Sequence, residues 1–315
     1  MTSPRRIGVA GLGPTARRSL AAVQELPQWE LVAVCDPGPP TGSLPRHVAQ
    51  HTDHRAMLAG AGLEALVVAG PAHTHADLCR AALLAGVPVL VEQPLALNPT
   101  QGRELAALAQ ARDLPLFTAF QRRYNDRVRA LLRRLPVEVP VRSVVVRDLE
   151  RIEERSGDDT WPWDPARRGG GCVADAGPHA FDLVRQLLGQ VRVVDARMVR
   201  DGRGVDRRAT VWLSAAMGAE ARVELDWSHP GETRDVSVLL ADGTELHADI
   251  LADQQGPGAS PQHEYRGLLA EFAEVVAAGR PAHRDGLGAL ELVADTYALE
   301  RAERFHHPDL RAAAS

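Results

Sequence analysis

The chain has 315 residues, 45% of them hydrophobic, and a formal net charge of −5; this is too long for one ordinary core and sets an expectation of two domains. The acidic balance lacks the basic face that a nucleic-acid partner needs, and no apolar run approaches the length of a membrane span, so neither partner is expected. All 36 basic residues are arginine, which excludes a P-loop and Schiff-base chemistry of the pyridoxal phosphate kind, since both need a lysine amine.

The N-terminal residues lead at once into an apolar strand over Arg6 to Ala10. That leaves no room for a secretory leader, and a cytoplasmic protein is the expectation. A helix over Pro14 to Glu25 follows, then strands at Glu30 to Cys35 and Ala65 to Ala69. A helix over His75 to Ala85, a strand at Val87 to Val91, a helix over Thr100 to Arg112 and a strand at Pro115 to Ala119 complete the first third. Near-continuous apolar strands alternating with helices predict a doubly wound parallel sheet covered on both faces. Past Phe120 the character changes. A helix is predicted over Asp126 to Leu135 and a strand over Val141 to Leu149. Ala221 to Trp227 alternates apolar and charged residues strictly, the mark of a half-buried strand. Ala209 to Ala215 precedes it as a hairpin partner, and Asp242-Gly243 joins two further strands, Val236 to Leu240 and Thr244 to Ile250, as a second hairpin. Gln254 to Gln262 reads as a loop, and Glu264 to Ala277 and Leu287 to Phe305 as closing helices. The fold class is thus α/β: a Rossmann-type domain over residues 1–120 and an α+β domain with an open, mostly antiparallel sheet over 121–315. Cys35, Cys79 and Cys172 are scattered, with neither a disulfide framework nor zinc-ligand spacing, and read as reduced buried residues.

Gly11-Leu12-Gly13-Pro14-Thr15-Ala16 lies between the first strand and the first helix and fits G-x-G-x-x-A. Glycines there permit a tight turn and let main-chain N–H groups meet a pyrophosphate at a helix N-terminus. Asp36 ends the second strand, where an acidic side chain accepts hydrogen bonds from an adenosine ribose. Pro37-Gly38-Pro39-Pro40 after it offers no arginine for a 2′-phosphate, which favours NAD over NADP.

Further segments carry a resemblance. They are Gly70-Pro71-Ala72-His73-Thr74-His75, Val89-Leu90-Val91-Glu92-Gln93-Pro94-Leu95-Ala96, Phe120-Gln121-Arg122-Arg123-Tyr124 and Trp163-Asp164-Pro165. The longest runs from Gly169-Gly170-Gly171 through Asp175, Gly177 and His179 to Asp182. Together with the Gly-rich turn they resemble the glucose–fructose oxidoreductase / inositol dehydrogenase / rhizopine-catabolism (Gfo/Idh/MocA) family over nearly the whole chain. The resemblance implies NAD(P)-dependent oxidation or reduction of a sugar-, polyol- or amino-sugar-like molecule at a site between the two domains. It also implies a homo-dimer or homo-tetramer, often built on the exposed face of the second sheet. Asp175 and His179 match the family's carboxylate and acid–base histidine; a spacing of four puts them on one face if the segment is helical. Gln93 stands where the family has its catalytic lysine, and an amide donates a hydrogen bond but carries no charge. Pro71, His75 and Glu92 are implied near the cofactor, with Arg123, Tyr124 and Trp163 toward the substrate. His73 and His75 have no carboxylate or cysteine at ligand spacing, and no metal is expected. The glutamine leaves other readings open: a sensor that binds dinucleotide without turnover, or imine reduction, elimination or epimerisation through transient oxidation.

Overall fold

The structure is a computed structural model describing residues 3–38, 44–156, 169–252, 262–279, 283–284 and 286–306. In chain order the first elements are β1 (Arg5–Ala10), α1 (Pro14–Glu25), β2 (Trp29–Cys35), β3 (Ala49–His51), α2 (His54–Gly60), β4 (Ala65–Val68), α3 (Ala72–Leu84), β5 (Val89–Val91), α4 (Pro99–Ala111) and β6 (Leu116–Thr118). A 3-10 turn at Gln121–Tyr124 leads to α5 (Asp126–Arg134), β7 (Val141–Arg151) and α6 (Ile152–Ser156). Then come α7 (Cys172–Asp175), α8 (Gly177–Leu188), β8 (Val191–Arg200), β9 (Asp206–Ala215), β10 (Glu220–Asp226), β11 (Ser228–Leu240) and β12 (Glu245–Asp249). The chain closes with α9 (Gln262–Ala278), β13 (His283–Arg284) and α10 (Leu287–His306). Residues 254–261 of the predicted loop, and Trp163, lie outside the described residues.

The chain forms two compact units. The first comprises Met1–Tyr124 and Ser260–Leu287. Its seven strands pair in parallel in the order β13-β6-β5-β4-β1-β2-β3. Every residue of β4 and β5 is buried, as a sheet covered on both faces requires. Strand order reverses beside β1, which puts the Gly-rich turn at the carboxyl edge where such sheets bind ligands. The sequence expectation placed everything after residue 120 in the second domain; the structure instead packs α9 with the first unit. Its apolar residues Tyr265, Leu268, Leu269, Phe272 and Ala273 form one helical stripe in the same core as Ile7, Val9 and Leu90. Phe272 lies 5.7 Å from Trp29 and 5.4 Å from Phe117, ring centre to ring centre, and such pairs add about 0.5–1.5 kcal/mol each beyond area burial. The Trp29 indole N–H also donates to the Leu269 carbonyl at 3.0 Å.

The second unit comprises Asn125–Ala259 and Gly288–Ser315. Its six-stranded sheet runs β12-β11-β7-β10-β9-β8 and is antiparallel except between β7 and β10. Along β7, Val144, Val146, Asp148 and Glu150 are buried while Val145, Arg147 and Leu149 are half-buried, the two-residue period of a sheet with one covered face. The Asp242-Gly243 hairpin forms as predicted: the Thr244 N–H donates to the Asp242 carboxylate, and Gly243 takes the positive φ the turn needs.

Candidate active site

One group of candidate residues lies in the first unit. Between β1 and α1, Gly11 adopts φ +92°, and a Cβ there would strike the backbone of Gly70. Gly13 is different: its φ is −66°, and a Cβ would meet nothing within 4 Å. Open space at Gly13 meets an α1 N-terminus that no side chain caps. Main-chain N–H groups there remain available to an anion, so the turn fits a dinucleotide pyrophosphate. Ala16 is buried beneath it. Asp36, at the end of β2, accepts from the Leu12 N–H at 2.7 Å and the Gly38 N–H at 2.8 Å. It thereby fixes the turn, and each carboxylate oxygen keeps a lone pair for a ligand hydroxyl.

The loops after β4 and β5 are tied together by His75. Its Nδ1 is 2.7 Å from the Pro94 carbonyl and its Nε2 2.8 Å from the Gly70 carbonyl. Burial holds the imidazole pKa below its ordinary value, against the pull of those two carbonyls. Pro71 caps α3, and the Gln93–Pro94 peptide is cis. Gln93 is half-buried, and its buried Oε1 has no hydrogen-bond partner. Glu92 beside it is buried, with the Ser19 hydroxyl 3.4 Å away. Burial pushes its carboxyl up to about 7, although the Tyr265 hydroxyl, Arg18 and Ser19 all favour the charged form. Arg123 stacks its guanidinium 5.4 Å from the Phe120 ring centre. Tyr124 is buried in the core, and its hydroxyl donates to Glu271 at 2.7 Å.

Another group of candidate residues lies in the second unit. The structure splits the segment predicted to hold Asp175 and His179 into α7 and α8, joined by Ala176 in the right-handed helical region. Ala176 N–H bonds to the Cys172 carbonyl and Ala180 N–H to that of Ala176, so four residues still amount to one helical turn. Asp175 closes α7 half-buried; His179 is buried in the first turn of α8. Pro178 occupies that first turn at no hydrogen-bonding cost.

Sequence reasoning missed the residue that anchors this segment. Asp206, fully buried at the start of β9, accepts from Gly171 N–H and Val173 N–H, each at 2.9 Å. Tyr297 of α10 donates to the same carboxylate at 3.0 Å, and Arg200 lies 3.6 Å away. No local signal marks Asp206, because its hydrogen-bond donors lie 33 to 91 residues away in sequence. All three cysteines are free and buried. Among the described residues no cluster of acidic, histidine or cysteine side chains could hold a metal, and no helix is long and apolar enough to cross a membrane.

A parallel sheet with a Gly-rich turn at its switch point is the architecture of a dinucleotide-binding domain, and the same chain carries a second unit with a mostly antiparallel sheet. The profile of the "Oxidoreductase family, NAD-binding Rossmann fold" matches residues 5–120, and that of the "GFO/IDH/MocA C-terminal domain" matches residues 141–245. A putative UDP-kanosamine synthase oxidoreductase subunit of Amycolatopsis mediterranei is 27% identical, covering 90% of this chain and 84% of its own length. D-xylose 1-dehydrogenase (NADP(+)) 2 of Haloferax volcanii is 30% identical over 75% of this chain and 73% of its own. Among solved structures, GenD2 from gentamicin A biosynthesis in complex with NAD has the same fold, with a TM-score of 0.82, 24% identity and 95% coverage of both chains. The chain belongs to the Gfo/Idh/MocA family of NAD(P)-binding oxidoreductases.

Proposed function

We propose that the chain interconverts a hydroxyl and a carbonyl group on a sugar-, polyol- or amino-sugar-like molecule, with NAD preferred to NADP. The observation that carries this reading is the Asp175–His179 pair, one helical turn apart within the family's Gly-rich motif. When bound, the nicotinamide ring supplies a hydride acceptor or donor. His179 takes the hydroxyl proton during oxidation and returns it during reduction, as an imidazole can near neutral pH. Asp175 orients that imidazole and stabilises its charged form. Gln93 stands at the family's lysine position and hydrogen-bonds the reacting oxygen without adding charge. Asp36 reads the adenosine ribose, and with no arginine in residues 37–40 a 2′-phosphate is disfavoured. The names of the relatives, a xylose dehydrogenase and a kanosamine synthase subunit, support a sugar-like substrate. A homo-dimer or homo-tetramer belongs to the same reading.

The test is turnover of nicotinamide cofactor, followed by absorbance, over a panel of inositols, pentoses, hexoses and amino sugars and their keto forms. Turnover of at least one member is expected. His179→Ala should lower kcat by about 10²–10⁴-fold with dinucleotide affinity unchanged. Gln93→Lys should raise alcohol oxidation, by up to about 10²–10³-fold for a restored charged donor. Dinucleotide binding without turnover of any substrate, or full activity in His179→Ala, would contradict the proposal.

A further inference from the structure

The buried carboxylate of Asp206 stands apart from the residues given a role above. Its two oxygens collect the Gly171 N–H at 2.9 Å, the Val173 N–H at 2.9 Å, the Cys172 thiol at 3.6 Å and the Tyr297 hydroxyl at 3.0 and 3.1 Å. The Arg200 guanidinium is 3.6 Å away and is itself held by Glu300 through two contacts of 3.2 Å. A side chain this buried, with donors from three separate elements, holds them in one geometry.

Three of those donors, Gly171, Cys172 and Val173, lie where the chain enters α7. The glycine triplet is shaped to the anchor: a Cβ on Gly170 would strike the Tyr297 hydroxyl, and one on Gly171 would strike the Asp206 backbone carbonyl. Gly170 also sits at φ +156°. From this loop the chain runs without a break into the reacting segment. Asp175 N–H bonds back to the Gly171 carbonyl, and Ala176 and Ala180 N–H groups continue the ladder past His179.

We infer that Asp206 and Tyr297 are positioning residues for the Asp175–His179 turn: they clamp the glycine loop, and through it set where the acid–base pair stands. This rests on the function proposed above for His179. The clamp contains its own reporter. Cys172 is buried against Asp206, and burial together with that carboxylate holds its thiol well above its ordinary pKa, so it is unreactive while the clamp is closed. Cys35 and Cys79 are buried in the other unit and report unfolding elsewhere.

The experiment is an alkylation pulse on the intact chain, with peptide mapping to separate the three cysteines, on wild type, Tyr297→Phe and Asp206→Asn, beside steady-state kinetics. Tyr297→Phe keeps the ring and removes one donor from the carboxylate. In that variant Cys172 should be labelled about tenfold faster or more, with Cys35 and Cys79 as protected as in wild type. kcat should fall about tenfold while KM and the dinucleotide Kd stay unchanged, a split that a general loss of stability would not give. If Asp206→Asn does not fold, Tyr297→Phe decides alone. Cys172 as protected as Cys35 and Cys79 in a folded variant overturns the clamp. Released Cys172 with unchanged kcat overturns its positioning role. A wild type that turns nothing over defeats the proposed function instead, and the labelling still reads the clamp.

Discussion

At the end of β5 a carboxylic acid sits where charge is costly. Glu92 is 6% exposed, and burial outweighs its polar neighbours so that it titrates near 7 when folded, against an ordinary 4.5. The folded state therefore holds this proton more tightly than the unfolded chain does. Any stability linked to it is complete below about pH 4.5 and is lost as the pH rises toward 7. Glu92→Gln keeps an acceptor and abolishes the titration. Its stability relative to wild type should rise between pH 5 and 8 by roughly 3 kcal/mol at most. Thermal or urea unfolding across that range checks this; parallel curves for the two proteins would contradict it. Residues of this kind were only half legible in the sequence. Asp36, Glu92, Asp175 and His179 stand in motifs whose local spacing suggests chemistry. Tyr265, Asp206 and Tyr297 do not, because each finds its polar partner through tertiary folding.

The Gly-rich turn contains two glycines with different reasons to be glycine. Gly11 answers to the fold: positive φ and the Gly70 backbone leave no place for a side chain. At Gly13 neither φ nor the surroundings forbid a Cβ, so only the proposed pyrophosphate contact would require a glycine there. Gly11→Ala should therefore cost stability, about 1–3 kcal/mol from backbone strain alone, as well as dinucleotide affinity. Gly13→Ala should leave stability unchanged or raise it by up to about 1 kcal/mol, yet weaken dinucleotide binding at least tenfold. Paired melting curves and dinucleotide titrations separate them; equal losses of stability would contradict the distinction. Elements with strong periodicity, such as β4, α1 and β10, were readable because their burial follows their own sequence. β8 was not: it is an edge strand, and along it only Ala196 is buried. The three-residue β3 is likewise an edge strand with no apolar pattern. The stripe on α9 was legible as a helix face, but not the core it joins, since proximity in sequence pointed to the second domain.

The two units divide the labour of one oxidoreductase. The first carries the Gly-rich turn, Asp36 and Gln93, and the second carries Asp175 and His179, the residues to which the proposed function gives roles. Their fold classes were legible because strand–helix alternation and charged–apolar alternation differ so plainly between the two halves. The return of residues 260–287 to the first unit was not, because domain boundaries inferred from sequence assume a contiguous chain. The substrate's identity is set by side chains gathered from many places, and no periodicity encodes it. What everything else depends on is a reduced dinucleotide held at the β1–α1 turn. Fluorescence titration of the purified chain with NADH and with NADPH measures that directly. Saturable binding of NADH is expected, with NADPH at least about tenfold weaker because Asp36 meets its 2′-phosphate. Failure of both to bind would contradict the account.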